Sequence, residues 1–242
     1  MARFPRSMTV RPGFEVHATW RGHNREANIS EPVDKNFYLQ CLVAESEKDV
    51  HGNTLNALVL MSNHVHEMYR IANQEAFSDY MRRHHAKYGR FFNRRHRRSG
   101  QVAEGRPKTS LIQSDEYSMN AVFYIHANPV RAKLVKDAGA YPWSTHALYA
   151  FGHRAPWMKG VQFPRWYLAL GTTSAERQAR YRKLFGLYLK KEKRNEKTFN
   201  ADSIFWGDAT WTSQQQDCLR AWLRERTHAN SMAAREGPPL IN

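Results

Sequence analysis

Residues 15–21 (EVHATWR) alternate, with Val16, Ala18 and Trp20 on one face and His17 on the other, which predicts a strand. Gly22 and Asn24 mark a turn after it. Over residues 31–49, Val33, Phe37, Tyr38, Cys41 and Leu42 share one helical face, with Ser30 as candidate N-cap and Glu31-Pro32 suited to a first turn. Residues 54–61 (TLNALVLM) predict a strand whose apolar second half is covered on both faces. Ser62-Asn63 is a tight turn, and residues 64–71 (HVHEMYRI) predict its hairpin partner. Phe77, Met81, His84, Tyr88, Phe91 and Phe92 define a long helix over 75–93. A short strand follows at 108–113. Asp115 then caps a helix running to about Asn128, where Pro129 interrupts or kinks it. Tyr141-Pro142-Trp143-Ser144 reads as an ordered turn. The order βαββαβα with a local hairpin favours an α+β sandwich, helices packed on a mainly antiparallel sheet.

After about residue 150 the pattern changes. Residues 174–194 form a basic helical stretch, 213–226 a second short helix, and the last dozen residues, with Gly237-Pro238-Pro239, a frayed end. The chain therefore divides into residues 1–150 and a basic, partly helical extension, 151–242. Net charge is +15, from 37 Lys and Arg against 22 Asp and Glu, which suits a polyanionic partner. Eight of those cations and no acid fall between Arg82 and Arg98, so the charge is concentrated. A solvated helix face is the alternative reading of such a run. Cys41 and Cys218 form no CxxC pair, which argues against a zinc knuckle and fits a reducing compartment. No apolar run reaches membrane length and the N-terminus has no apolar signal core, so the expectation is a cytoplasmic protein with nucleic acid as partner and no membrane.

Two constellations carry chemistry. His64 and His66 stand at i and i+2 of a strand, on one face and about 7 Å apart along it, a spacing that lets two imidazoles share a divalent ion. With 12 His in the chain, the pair alone is a weak signal. Tyr117, Ala121, Tyr124 and Asn128 line one face of the later helix, which makes Asn128 a neighbour of Tyr124. The Asn128 carbonyl offers a third metal ligand and the phenol a nucleophile. The residues by themselves leave a second account open, in which Tyr124 packs in the core and Asn128 caps a helix end before Pro129.

Met61-Ser62-Asn63-His64-Val65-His66 resembles the M-P-N-H-V-H motif of the HUH tyrosine transposases, and Tyr124 to Ala132 resembles their Y-I-H-x-N-P-V-R-A segment. Further matches stand in order. Thr19 to Asn24 is similar to the first-strand motif ending in R-G, and Tyr88 with Phe92-Asn93-Arg94 to Y-x-x-x-F-N-R. Gly105-Arg106 with Lys108 is similar to the G-R-x-K/S loop, and Tyr141 to Ser144 to Y-P-W-S-S. The nearest group is the REP-associated tyrosine transposases, and the resemblance covers roughly residues 10–150. It implies a ferredoxin-like HUH endonuclease domain in which His64, His66 and Asn128 bind Mg²⁺ or Mn²⁺. It further implies that Tyr124 attacks the scissile phosphate to leave a 5′-phosphotyrosine. The implied partner is single-stranded DNA with a hairpin, a REP-like palindrome, and the protein would be a monomer or homodimer. Arg21, Arg106, Lys108 and Arg131 fall in matched segments and join Arg83, Lys87, Arg90 and Arg94 of the basic helix as DNA-binding candidates.

Three departures stand out. Ser62 replaces the usual Pro, Glu67 sits where an apolar residue is usual and faces away from the two histidines, and Gln101 to Glu104 lack the aromatic often found before G-R. The leading expectation is an enzyme that nicks and rejoins DNA. The alternatives are a domesticated palindrome-binding protein without turnover and a nuclease that uses water.

Overall fold

The computed structural model describes residues 5–194 and 203–236, so the Gly237-Pro238-Pro239 end lies outside it. The strands are β1 Glu15–Arg21, β2 Thr54–Leu60, β3 His64–Arg70, β4 Lys108–Ile112 and β5 Phe205–Trp206, in the sheet order β2-β3-β1-β4-β5. The first four pair antiparallel, and β5 joins β4 in parallel. The helices are α1 Arg6–Thr9, α2 Pro32–Ser46, α3 Gln74–Arg95, α4 Asp115–Arg131, α5 His146–Phe151, α6 Arg165–Leu168, α7 Ser174–Lys193 and α8 Ala209–Glu236. From β1 to β4 this is the ferredoxin-like βαββαβ order, the expected α+β sandwich.

Strand alternation sorts the sheet residues into two cores. Val16, Ala18, Trp20, Leu58, Leu60, Val65, Tyr69 and Leu111 face α2 and α3. Ala57, Val59, Met61, Met68 and Ile112 face α4, meeting Ala121, Val122 and Ile125. The apolar half of β2 is thus covered on both sides, as its composition predicts. Its outer edge is closed by the segment after Tyr141: Leu60 N–H donates to the Trp143 carbonyl at 2.9 Å, and Thr145 N–H to the Leu58 carbonyl at 2.9 Å. The Tyr141 hydroxyl donates to the Leu60 carbonyl at 2.6 Å. An edge satisfied in this way no longer templates pairing with another chain.

Glu67 is buried on the α2–α3 side, where its Oε1 accepts from the Tyr38 hydroxyl at 3.0 Å, away from the two histidines as strand alternation requires. Burial pushes its pKa up to about 7 against the hydrogen bonds from Tyr38 and Tyr69.

The described part of residues 151–242 shares both cores. Tyr181, Phe185 and Tyr188 of α7 surround Phe123 of α4 at ring-centroid distances of 5.5 to 5.8 Å. On the other side, Phe205 of β5 and Leu219 of α8 enter the α2–α3 core. α7 starts on a full capping box, with Thr173 accepting from the Glu176 N–H and Glu176 reaching back to the Thr173 N–H. The helix expected over 213–226 is longer, Ala209–Glu236.

Candidate active site

The register of β1 on β3 sets Thr19 opposite His66, Arg21 opposite His64 and His17 opposite Met68. Directly opposed residues of an antiparallel pair share a face. His17, Thr19, Arg21, His64 and His66 therefore lie on the α4 side of the sheet. Lys108 of β4, opposite Thr19, shares it. The turn before His64 is held by Gly22, whose N–H donates to the Asn63 carbonyl at 2.8 Å. A Cβ at Gly22 would collide with the Glu26 carbonyl, so only glycine lets the 23–28 loop fold back over this turn.

α4 brings the other half. Tyr124 stands edge-on to His66, ring centroids 5.3 Å apart, and to His17 at 6.1 Å. The residue is partly exposed. Pro129 does not end the helix, which runs on to Arg131. The proline removes the N–H that would bond the Ile125 carbonyl. The Asn128 amide turns back instead, its Nδ2 donating to the Tyr124 carbonyl at 3.0 Å and, more weakly, to that of Ile125 at 3.4 Å. This pins the Asn128 side chain, whose Oδ1 accepts from Arg131 Nη2 at 3.0 Å and which also contacts His64. The sequence-predicted set of Tyr124, His64, His66 and Asn128 is thus brought together from a hairpin strand and a helix some sixty residues apart.

Both histidines are held neutral. Burial first, then the nearby Arg21 and Arg131, bring His64 down to about 4. Burial, His17 and His64 push His66 well below the ordinary range. His64 Nδ1 lies 2.7 Å from Asn63 Oδ1, which can only accept, so Nδ1 carries the proton and Nε2 the lone pair. Neutral imidazoles with lone pairs beside an amide oxygen are a donor set that fits a divalent ion.

Sequence reasoning missed the residues behind this set. His17 Nε2 lies 2.9 Å from His66 Nδ1, and Thr19 Oγ1 lies 3.2 Å from the same nitrogen. Arg131 is anchored from α7, where Glu192 accepts from its Nη1 at 3.0 Å and from the Tyr188 hydroxyl at 2.7 Å. The alternation of β1 separates His17 from Trp20, but its proximity to His66 depends on strand register.

The basic candidates divide. Arg21, Lys108 and Arg131 border the Tyr124 site, and Arg21 and Lys108 make no ion pair among the described residues. Arg83 and Lys87 lie across the sheet on α3 and grip the buried Glu45, Arg83 at 2.8 Å, together with Lys48. Arg90 and Arg94 are exposed beside the stacked rings of Phe37 and Phe91. Arg106 is near Arg6, whose pKa falls to about 10 through burial and then through Arg106. A further donor cluster, Glu31, Asp34 and His96, has its charge met by Arg95, which pairs with both carboxylates, and it is an ion-pair network.

No family model matches the chain, and no curated protein matches it. Among solved structures, the chain is similar to a REP-associated tyrosine transposase bound to a REP hairpin, with a TM-score of 0.51 and 19% identity. The match covers 64% of this chain and 89% of the other. The two proteins share a fold. No helix among the described residues is long and apolar enough to cross a membrane.

Proposed function

We propose that this protein is a metal-dependent nickase and strand transferase that cuts and rejoins single-stranded DNA at hairpin-forming palindromic repeats, with Tyr124 as nucleophile. The observation that carries the reading is the meeting of Tyr124 with His66, and of Asn128 with His64, on a face bordered by Arg21, Lys108 and Arg131. The shared fold with a transposase that binds a REP hairpin supports hairpin DNA as partner. His64, His66 and Asn128 would hold Mg²⁺ or Mn²⁺. Bound there, the ion supplies Lewis acidity to a phosphate oxygen.

The chain's own residues do the rest. The Tyr124 oxygen forms a bond to phosphorus while the bond to the 3′ oxygen breaks. The phenol gives up its proton, and the departing 3′ oxygen gains one. The products are a 5′-phosphotyrosine and a free 3′-OH, and attack by another 3′-OH reverses the step without ATP. Arg131, whose guanidinium lies over the Tyr124 ring, is placed to stabilise the negative charge that develops during attack. Arg21 and Lys108 would hold flanking phosphates.

The test is incubation with labelled hairpin DNA and Mn²⁺ followed by denaturation. A covalent adduct that disappears in Tyr124→Phe supports the proposal. Cleavage that survives Tyr124→Phe identifies a water-using nuclease, and tight binding with no adduct identifies a non-catalytic palindrome-binding protein. His64→Ala is expected to abolish cleavage and leave hairpin binding largely intact.

A further inference from the structure

A third imidazole is packed against His66. His17 is 1% exposed, its ring lies edge to edge and nearly parallel with that of His66, centroids 5.1 Å apart at 14°, and its Nε2 lies 2.9 Å from His66 Nδ1. Two ring nitrogens at that distance share one hydrogen. A neutral imidazole has one N–H and one lone pair, so at this contact one ring donates and the other accepts.

Two arrangements satisfy the contact. In one, His17 donates to His66 Nδ1, which puts the His66 proton on Nε2 and removes the lone pair a metal needs. In the other, His66 Nδ1–H donates to His17, and Nε2 keeps its lone pair. Nδ1 of His66 is the nitrogen that meets His17 and Thr19, which leaves Nε2 as the nitrogen that would hold an ion.

We infer that His17 is a positioning residue that accepts the Nδ1–H of His66 and so fixes His66 in the tautomer that presents Nε2 to a divalent ion. This rests on the reading of His66 as a ligand. Orienting acceptors for metal-bound histidines are commonly carboxylates or carbonyls. A neutral imidazole does the same work without bringing a negative charge next to a site meant for phosphate.

Two measurements on the full chain test it. In the metal-free protein with ¹⁵N-labelled histidine, long-range proton–nitrogen correlation is expected to show His66 with its proton on Nδ1. Finding it on Nε2 overturns the inference whether or not metal binds. In Mn²⁺ titrations, His17→Phe is expected to weaken binding by roughly 10- to 100-fold, with His17→Gln, whose amide oxygen can still accept, within a few-fold of the native chain. Native-like affinity in a folded His17→Phe overturns the inference, and so does a loss as large in His17→Gln. Mn²⁺ binding that is unchanged in His64→Ala would instead overturn the placement of the ion, which the tautomer measurement tells apart.

Discussion

The guanidinium of Arg131 lies over the ring of Tyr124, its central carbon 4.0 Å from the ring centroid. Seven residues separate them, so two turns of α4 put both on one face with Asn128 between them. Arg131 also bonds Asn128 Oδ1 and, through Glu192, reaches α7. One cation thus ties the proposed nucleophile, a candidate ligand and the extension together.

Arg131→Ala is expected to slow phosphotyrosine formation by about 100-fold, the size of a lost charge-stabilising donor, with a hairpin affinity loss no greater than one phosphate contact. Glu192→Gln should give a smaller loss of the same kind, since the arginine stays but its anchor weakens. Single-turnover adduct formation with labelled hairpin DNA measures both. Native rates in Arg131→Ala would remove it from the chemistry.

The cations of α3 are expected to separate into two groups. Burial opposes ionisation of Glu45, but Lys48, Lys87 and Arg83 override it and bring its pKa down to about 2. Arg83→Ala and Lys87→Ala should therefore lower the melting temperature. Arg90→Ala and Arg94→Ala should leave it unchanged and reduce the salt slope of DNA binding by about one each if those side chains touch phosphate. Thermal melts beside salt-dependent binding curves distinguish the groups. A basic helix that behaves uniformly would contradict the division.

Glu67 predicts a pH-dependent stability. Its folded pKa, raised to about 7, lies above the unfolded carboxylate value, so the folded state prefers the protonated form. The associated stability is fully present below about pH 4 and is lost as pH rises through 7. The shift corresponds to about 3 kcal/mol at most. Glu67→Gln should remove this dependence and raise stability at pH 8, read by denaturant melts at pH 5 and 8. A loss of stability at pH 8 would show that the charged carboxylate is favourable where it lies.

Cutting the chain after residue 150 tests how far the extension belongs to the fold of residues 1–150. The cut strips Tyr181, Phe185 and Tyr188 from Phe123, and β5 from β4. It also leaves the buried His126 without its 2.6 Å contact to the Tyr181 hydroxyl. The truncated chain is expected to be insoluble or to melt well below the full one. A soluble, cooperatively melting 1–150 fragment would establish that it folds alone.

Much of the architecture is local and so was readable. Alternation in EVHATWR and TLNALVLM, the Ser62-Asn63 turn and the helical spacing from Phe77 to Phe92 each give an element found in the fold. The same periodicities put His64 with His66 and Tyr124 with Asn128, because i, i+2 on a strand and i, i+4 on a helix are fixed by backbone geometry. Pro129 was harder to read. Its cost to the helix is local, but the compensation comes from the Asn128 side chain, and a sequence does not display that bond.

Local pattern set the first four strands of the sheet and the long helices, the basic charge and which side chains share a face within one element, but it gave no sign of α1, α5, α6 or β5. Which faces meet was settled by packing across the whole fold. Strand register placed His17 and Thr19 against His66, layer assignment sent Arg83 and Lys87 to Glu45, and α7 delivered Glu192 to Arg131. The physical reason is that dihedral preferences and side-chain periodicity act over a few residues, whereas register and layer packing depend on burial summed over the whole chain.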